Sequence, residues 1–146
     1  MGKIAYNWNK VNRGDIISFR YRTKEGRILR RTILVLEPKL KNKAKNPTSD
    51  YLLHGIQLEI SNQPVISNIK TILESAGKVG VVDADKKIFN VELDRSTKNV
   101  YNKVKNLINK HGMFRTYSYD KARKSQVFLE DLRLPEDFLK ELVGEN

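Results

Sequence analysis

One stretch of alternating residues near the N-terminus constrains the fold of this chain more than any other feature. In residues 15–22, Ile17, Phe19 and Tyr21 occupy every second position, with mainly polar residues between them. Side chains of a β-strand point to opposite faces in turn, so the pattern predicts a strand that is buried on one face. The turn sequence Thr-Lys-Glu-Gly and a second strand rich in β-branched residues follow. Residues 15–36 are therefore predicted to form a β-hairpin.

The hairpin leads into a basic segment and a third strand. Pro38 is expected to end the second hairpin strand, because proline has no N–H to donate to a sheet. Residues 39–49 contain four lysines at alternate positions, with asparagine and proline among them, and are predicted to form an extended, mobile loop. The segment 51–59 is predicted to be a third strand, in which Gly55 indicates a β-bulge.

The middle and the end of the chain have helical periodicity. Apolar residues three and four positions apart predict helices at residues 64–76, 97–111 and 135–143. Pro64 suits the first turn of the first helix, because its missing N–H would have no partner there. Residues 79–94 leave two alternatives open, a short β-hairpin or a loop that lies over the core.

The order of these elements predicts an α+β fold. Alternation predicts two further strands, at residues 113–119 and 125–129. We expect a strongly bent antiparallel sheet, or a small SH3/Sm-like barrel, formed by residues 15–58 and 113–130. The helical insertion 64–111 and the C-terminal helix would pack on it, and the whole chain, 1–146, would form a single domain.

Positive charge is concentrated in the part of the chain that contains the hairpin. The first 58 residues hold 13 Lys or Arg against four Asp or Glu, a net charge of +9. The remaining 88 residues hold 15 basic and 13 acidic residues, a net charge of only +2. Such an asymmetry attracts polyanions and is typical of a surface that binds nucleic acid or an acidic protein.

The hairpin arginines form the clearest candidate site. Strand residues two apart lie roughly 6–7 Å from one another, close to the spacing of successive phosphates, and the arginine fork pairs with phosphate. The alternative is a hydrated sheet face whose cations discourage edge-to-edge pairing. The predicted nucleic-acid-binding residues are Arg20, Arg22, Lys24, Arg27, Arg30, Arg31, Lys39, Lys41, Lys43, Lys45, Arg115, Tyr117, Tyr119, Lys121, Arg123 and Lys124.

Three aromatic residues allow two interpretations each. If residues 113–119 form a strand, Tyr117 and Tyr119 share a face with Arg115 and could be a stacking platform for bases. The alternative, which carries more weight, is that one or both tyrosines belong to the core. Trp8 lies in a basic N-terminal arm and is an apolar anchor either into the domain or into a partner.

Several function classes lack support in the sequence. There is no cysteine, no phosphate-binding loop, no nucleophile elbow and no zinc-binding spacing. His54 and His111 have no motif around them, and Asp83 and Asp85 are best interpreted as a turn. We therefore predict a non-enzymatic protein without catalytic residues, metal or cofactor. No apolar segment predicts a membrane span or a secretory signal, so the expected location is the host cytoplasm or a virion.

Part of the chain resembles the opening of a WYL module, a small Sm/SH3-type barrel found in bacterial and phage regulators. The resemblance is carried by the segments 17–21, 30–38, 50–55 and 114–121, which supply an apolar strand with a Tyr, a basic pair, a Tyr-Leu strand and a closing aromatic-basic strand. It implies a small β-barrel fold. The Lys- and Asn-rich composition is also similar to that of small tailed-phage proteins.

Two functions are predicted from these observations. The first is binding of a DNA or RNA backbone by the basic hairpin and loop. The alternative is a structural subunit of a large viral or phage assembly, in which the basic hairpin of one copy docks on the acidic C-terminal segment 130–146 of the next. That contact would make the protein a homo-oligomer.

Overall fold

The computed structural model describes residues 3–45, 49–60, 63–64, 67–69, 71–72, 82–83, 88–90, 98–111, 113–133 and 136–144. Its strands are β1 (Lys3–Tyr6), β2 (Asp15–Arg22), β3 (Ile28–Lys41), β4 (Tyr51–Gln57), β5 (Glu59–Ile60), β6 (Gln63–Pro64), β7 (Val82–Asp83), β8 (Ile88–Asn90), β9 (Met113–Ser118) and β10 (Val127–Arg133). Its helices are α1 (Lys98–His111), α2 (Tyr119–Ala122) and α3 (Glu136–Val143). A 3₁₀ turn spans Trp8–Lys10, and residues 67–69 and 71–72 are also helical.

Six antiparallel strands form the main sheet in the order β1-β10-β2-β3-β4-β9. The start of β10 pairs with β1, and its end pairs in parallel with β8, which in turn pairs with β7. The predicted α+β class and the grouping of both strand sets in one sheet are confirmed. Within the described residues no ladder joins β9 to β1 or β8, so the sheet is open rather than a closed barrel.

The first half of β2 and the part of β3 paired with it are covered by other side chains on both faces of the sheet. We call the face with Ile17, Phe19 and Tyr21 the inner face, and the opposite one, with Ile16 and Arg20, the outer face. The outer core combines strand residues with helical ones: Ile16, Leu34, Leu36, Ile56, Leu58, Ile69, Val104, Ile108, Leu139 and Leu142. The inner core holds Val11, Ile17, Phe19, Ile33, Val35, Leu53, Tyr117, Ala122, Val127 and Leu129.

The prediction that β2 is buried on one face is correct only for its second half. Its first five residues are all buried, because helices cover the outer face and aromatic side chains cover the inner one. Arg20 and Arg22, which follow, are exposed. The strand therefore changes from core to surface at Arg20.

The prediction that Pro38 ends the second hairpin strand is wrong. The ladder between β3 and β4 shifts register between Val35 and Glu37 and again between Glu37 and Leu40, which accommodates the proline in an irregular part of the strand. The predicted loop 39–49 consequently begins later, after Lys41. The first shift lies on β3, directly opposite Gly55, so the glycine marks a bulge that belongs to its partner strand.

Other predictions have mixed outcomes. The hairpin alternative for residues 79–94 is the one found, because β7 and β8 pair antiparallel. Helices α1 and α3 lie within the predicted ranges. Pro64 does not begin a helix but pairs with Glu59 in the β5–β6 ribbon.

None of the helices in the described part of the chain combines the length and apolar character that a membrane crossing requires.

Candidate nucleic-acid interface

The turn of the hairpin presents its cations on an ordered backbone. The Thr23 N–H donates to the Arg27 carbonyl at 2.8 Å, and the Gly26 N–H donates to the Thr23 carbonyl at 3.0 Å. Gly26 has a φ of +83°, in the left-handed region that side chains disfavour. Arg22 Nη1 donates to the Gly26 carbonyl at 3.2 Å, so this arginine also braces the turn. Lys24 and Arg27 extend from it into solvent.

Two arginines face each other across the hairpin. In the antiparallel register Arg20 lies directly opposite Arg30, and both side chains are exposed on the outer face. Like charges directly opposite each other in a sheet are destabilising. A bound anion between or beside them would remove that repulsion.

Helix α2, whose Ala122 packs in the inner core, and the turn after it bring further cations to the side of the hairpin. A groove of about 430 Å³ lies between the hairpin and this segment, and it is lined by Arg20, Arg22, Thr23, Ile28, Lys121, Lys124 and Ser125. We call it the outer groove. The Arg20 N–H donates to Ser125 Oγ at 3.2 Å, and Trp8 Nε1 donates to the Ser125 carbonyl at 2.9 Å. These bonds attach the segment to β2 and to the N-terminal arm.

A second basic groove opens on the inner face. We call it the inner groove; its volume is about 400 Å³. Its cations come from the hairpin, from β9 and from α2. It is lined by Tyr21, Arg22, Thr23, Lys24, Arg31, Asn42, Ser49, Leu52, Gln57, Arg115, Thr116, Tyr117, Ser118 and Lys121.

Arg31 faces this inner groove and not the outer face. It lies opposite Phe19 in the hairpin register, whereas its neighbour Arg30 lies opposite Arg20. Arg30 and Arg31, both predicted to bind nucleic acid, therefore lie on opposite faces of the sheet, since adjacent strand residues point to opposite faces. Arg31 Nε is buried and has no hydrogen-bond partner among the described residues.

The core interpretation of the two tyrosines is the correct one. Tyr117 and Tyr119 are 6% and 4% exposed, and they pack edge-on against Phe19 and Trp8 respectively. Neither ring face is available to stack with a base. Tyr119 also leaves the strand face predicted for it, because the Ser118 side chain accepts from Lys121 N–H and begins helix α2.

Trp8 is an anchor into the domain. Its ring contacts Phe19 at a centroid distance of 5.3 Å, and the strand β1 that precedes it pairs with β10. The predicted arm is therefore part of the sheet. Sequence reasoning did not find this strand, because its four residues are too short for a clear alternation pattern.

The predicted lysines of segment 39–49 lie apart from the two grooves. Lys39 and Lys41 belong to β3, and the Lys39 ammonium lies 4.5 Å from the ring centroid of Tyr51. Lys43 and Lys45 are exposed, and none of the four lines either groove. Arg123 is exposed and lies 5.7 Å from the Tyr119 ring centroid. The structure thus brings together the hairpin, Arg115, Lys121 and Lys124, but not the lysines of the loop, although Asn42 and Ser49 line the inner groove.

Both grooves have one sign of charge. Among their described lining residues there is no Asp, Glu or His. In the sequence, Glu25, Asp50 and Asp120 each adjoin a lining residue. Glu25 lies in the turn, where hydrogen bonds from its own backbone N–H and from Thr23, together with Lys24 and Arg27, hold the pKa of its carboxyl below the usual range. The described residues contain no cluster of three potential metal ligands.

These side chains can bind and orient an anion. His54, the histidine whose side chain is described, lies in β4, stacks on Phe114 and is 3.3 Å from Thr116 Oγ1. In comparisons with known proteins, no family model, no curated protein and no solved structure matches the chain.

Proposed function

We propose that this protein binds the backbone of a nucleic acid through its outer groove, without catalysing a reaction. One observation carries the proposal: cations from segments about 100 residues apart in sequence meet around one groove. Arg20 and Arg22 come from β2, and Lys121 and Lys124 come from α2 and the turn that follows. A hydrated surface whose charges only prevent pairing with another sheet would not require cations from distant segments to meet around one groove.

The kind of cation favours phosphate as the ligand. Arginine presents a planar fork that pairs with two oxygens of one phosphate, and it is weakly hydrated compared with lysine. Arg20 and Arg30 are held opposite each other by the strand register. The cost of that like-charge pair is offset when phosphates displace solvent and release the counterions of the nucleic acid.

The proposal is tested by reversing the charge of the facing pair. We expect Arg20→Glu combined with Arg30→Glu to weaken binding to mixed-sequence DNA by about 100-fold at low salt, because Arg20 lines the groove, Arg30 lies directly opposite it, and both charges would then repel phosphate. The salt slope should fall by about one per lost contact. The matched control is Lys103→Glu combined with Lys110→Glu, since both lysines are exposed on α1 and line neither groove.

Two results would contradict the proposal. One is a wild-type protein that shows no salt-dependent retention on a DNA or heparin column. The other is equal loss of affinity in the hairpin and α1 variants, which would mean that net charge alone governs the attraction.

We further propose that the open sheet is a curved relative of the small WYL-type barrel. The segments that carry the resemblance fall on the adjacent strands β2, β3, β4 and β9. An experimental structure tests this proposal directly. A flat sheet, in which β9 stays far from β1, would contradict it.

A second proposed function is that of a subunit in a larger assembly. Exposed apolar side chains favour this proposal. Ile28, Leu40 and Phe114 are 55%, 44% and 56% exposed, and Leu40 lies between two exposed lysines on β3. The acidic segment 130–146 is less available than its composition indicates, because Glu130 is buried. Light scattering at low salt tests this alternative, since a subunit that docks through Leu40 should associate and the Leu40→Asp variant should not.

A further inference from the structure

We infer that the inner groove is a binding site for a phosphomonoester, that is, for the dianionic phosphate at the end of a nucleic-acid strand or on a nucleotide. The inference begins with Arg31. Its Nε atom is buried without a hydrogen-bond partner among the described residues, although the side chain lines an open groove. A buried donor of this kind is unfavourable unless a ligand supplies its acceptor.

A second arginine enters the same groove from the opposite side. Arg115 is exposed on β9, two strands away from the hairpin in the sheet order, and it lies opposite Gly55 in the register. Arg31 and Arg115 both line this groove, so an anion bound in it would be attracted by both guanidinium groups.

Neutral hydrogen-bonding groups line the same groove. Gln57 Oε1 accepts from the Tyr117 hydroxyl at 3.2 Å, and the Tyr21 hydroxyl accepts from the Ser118 N–H at 3.1 Å. These bonds fix the polar side chains before any ligand arrives. A preorganised, partly enclosed site of this kind favours a ligand of defined shape over a diffuse polyanion.

The amount of charge indicates which phosphate the groove fits. Five cations line it, namely Arg22, Lys24, Arg31, Arg115 and Lys121, and no acidic residue does so among the described lining residues. A phosphodiester carries one negative charge, whereas a phosphomonoester carries about −1.5 to −2 near pH 7. The dianion matches the excess of cations better, and it offers one more terminal oxygen to the arginine donors.

The two grooves are connected through shared residues. Arg22, Thr23 and Lys121 line both of them. A strand whose backbone lies in the outer groove could therefore place its phosphorylated end in the inner one. This strand-end source depends on the proposed function, whereas binding of a free nucleotide does not.

The test compares three forms of one oligonucleotide, a (dT)12 strand with a 5′-phosphate, with a 3′-phosphate or with neither, alongside thymidine monophosphate as a small ligand. We expect one phosphorylated form to bind about tenfold more tightly than the unphosphorylated strand, as charge-assisted bonds to two arginines require. Fluorescence anisotropy measures the strands, and calorimetry measures the mononucleotide.

Two variants assign the gain to the inner groove. Arg31→Lys keeps the charge but removes the Nε donor and the fork, and Arg115→Gln removes an exposed cation at no risk to the fold. Each should abolish the gain from the terminal phosphate and leave affinity for the unphosphorylated strand within about twofold. The matched control is Arg30→Lys, which makes the same change at the neighbouring position on the outer face.

The pH dependence gives an independent readout. The second ionisation of a phosphomonoester has a pKa of about 6, so the gain should shrink as pH falls from 7.5 to about 5. No Asp, Glu or His is found among the described lining residues. A gain that stays constant with pH would contradict a dianion site.

Each outcome separates this inference from the proposed function. Equal affinity for the three strands, with all binding lost in the Arg20→Glu and Arg30→Glu variant, would overturn the inference and leave the proposed function intact. Binding of thymidine monophosphate that depends on Arg31, without affinity for any strand, would overturn the proposed function alone. A phosphate gain that persists in Arg31→Lys and Arg115→Gln would show that the site lies elsewhere.

Discussion

The base and the tip of the β2–β3 hairpin are made by the same two strands and have opposite characters. The base comprises residues 15–19 and 32–36, and nearly all of its side chains are buried, on both faces of the sheet. The tip comprises residues 20–31, and no residue in it is buried. It carries six cations and one carboxylate.

The difference shows that apolar burial and exposed positive charge lie in separate halves of one element. Burial of apolar area is the main favourable contribution to folding, and the base supplies it. Exposed charges contribute little to stability, so the tip can carry cations at close spacing without endangering the fold. Substitutions in the base and in the tip should consequently change different measurements.

The largest effect is expected from Phe19→Ala in the base. Phe19 is 1% exposed and packs edge-on against Trp8, Tyr21 and Tyr117. Its truncation should lower the free energy of unfolding by about 3–5 kcal/mol, measured by urea denaturation. Arg20→Ala, one residue further into the tip, should change it by no more than about 0.5 kcal/mol. Similar losses in both variants would show that the tip is part of the cooperative core.

A somewhat smaller loss is expected from Gly55→Ala, opposite Val35 in the base. An added Cβ would lie 2.6 Å from the Leu34 carbonyl oxygen and 3.1 Å from Ile33 Cδ1. Because the first of these atoms is backbone, strand β3 would have to move. We expect a loss of about 1–3 kcal/mol by the same measurement. Gly26→Ala in the tip meets no neighbouring atom within 4 Å, and its cost would come from the positive φ alone.

Sequence periodicity predicted the base better than it predicted what surrounds it. The hairpin and its turn follow from alternation and from glycine placement, both of which are local. The continuation of β3 past Pro38 depends on register shifts against β4, and these are set by tertiary pairing. The burial of Ile16 and Ser18 depends on helices that cover the outer face, which alternation within one strand cannot indicate.

For the candidate site, the sequence indicated the cations but not their grouping. The period of a strand places Arg30 and Arg31 on opposite faces, so the two arginines, both predicted to bind nucleic acid, line different surfaces. The approach of Lys121 and Lys124 to Arg20 arises from the pairing of β10 with β2, across about 100 residues. Gln57 and Tyr21 were not predicted to line a groove, because nothing local to their strands indicates that β9 and the hairpin share one.

A smaller effect is expected when the facing arginines of the tip are neutralised. Arg20→Gln or Arg30→Gln removes a like-charge pair and should raise stability by about 0.2–1 kcal/mol at low salt. The double variant should gain little more than either single one, because the repulsion is already gone after the first substitution. A double-mutant cycle by urea denaturation measures this coupling. If the gains in stability of the two single variants were strictly additive, the two arginines would not repel each other measurably, and the account of the like-charge pair would be wrong.

The smallest effect concerns Glu25, the one acid of the tip. Its pKa is lowered by hydrogen bonds from its own backbone N–H and from Thr23, with smaller contributions from Lys24 and Arg27. A carboxyl whose pKa is lower in the folded state stabilises the fold above the pKa of the unfolded chain, and this contribution is lost as pH falls through the lowered folded pKa. Because the carboxyl of Glu25 is fully exposed, its contribution to stability should be small and should weaken with salt.

We expect an NMR titration of the Glu25 carboxyl to have its midpoint below that of a solvated glutamate, and Thr23→Val to move the midpoint upward. The stability of Glu25→Gln should match that of the unmodified protein at low pH, where the carboxyl is protonated, and fall slightly below it at neutral pH. If the two proteins instead diverged as the pH was lowered, the hydrogen bonds of the turn would favour the protonated acid, and the electrostatic account of the tip would be wrong.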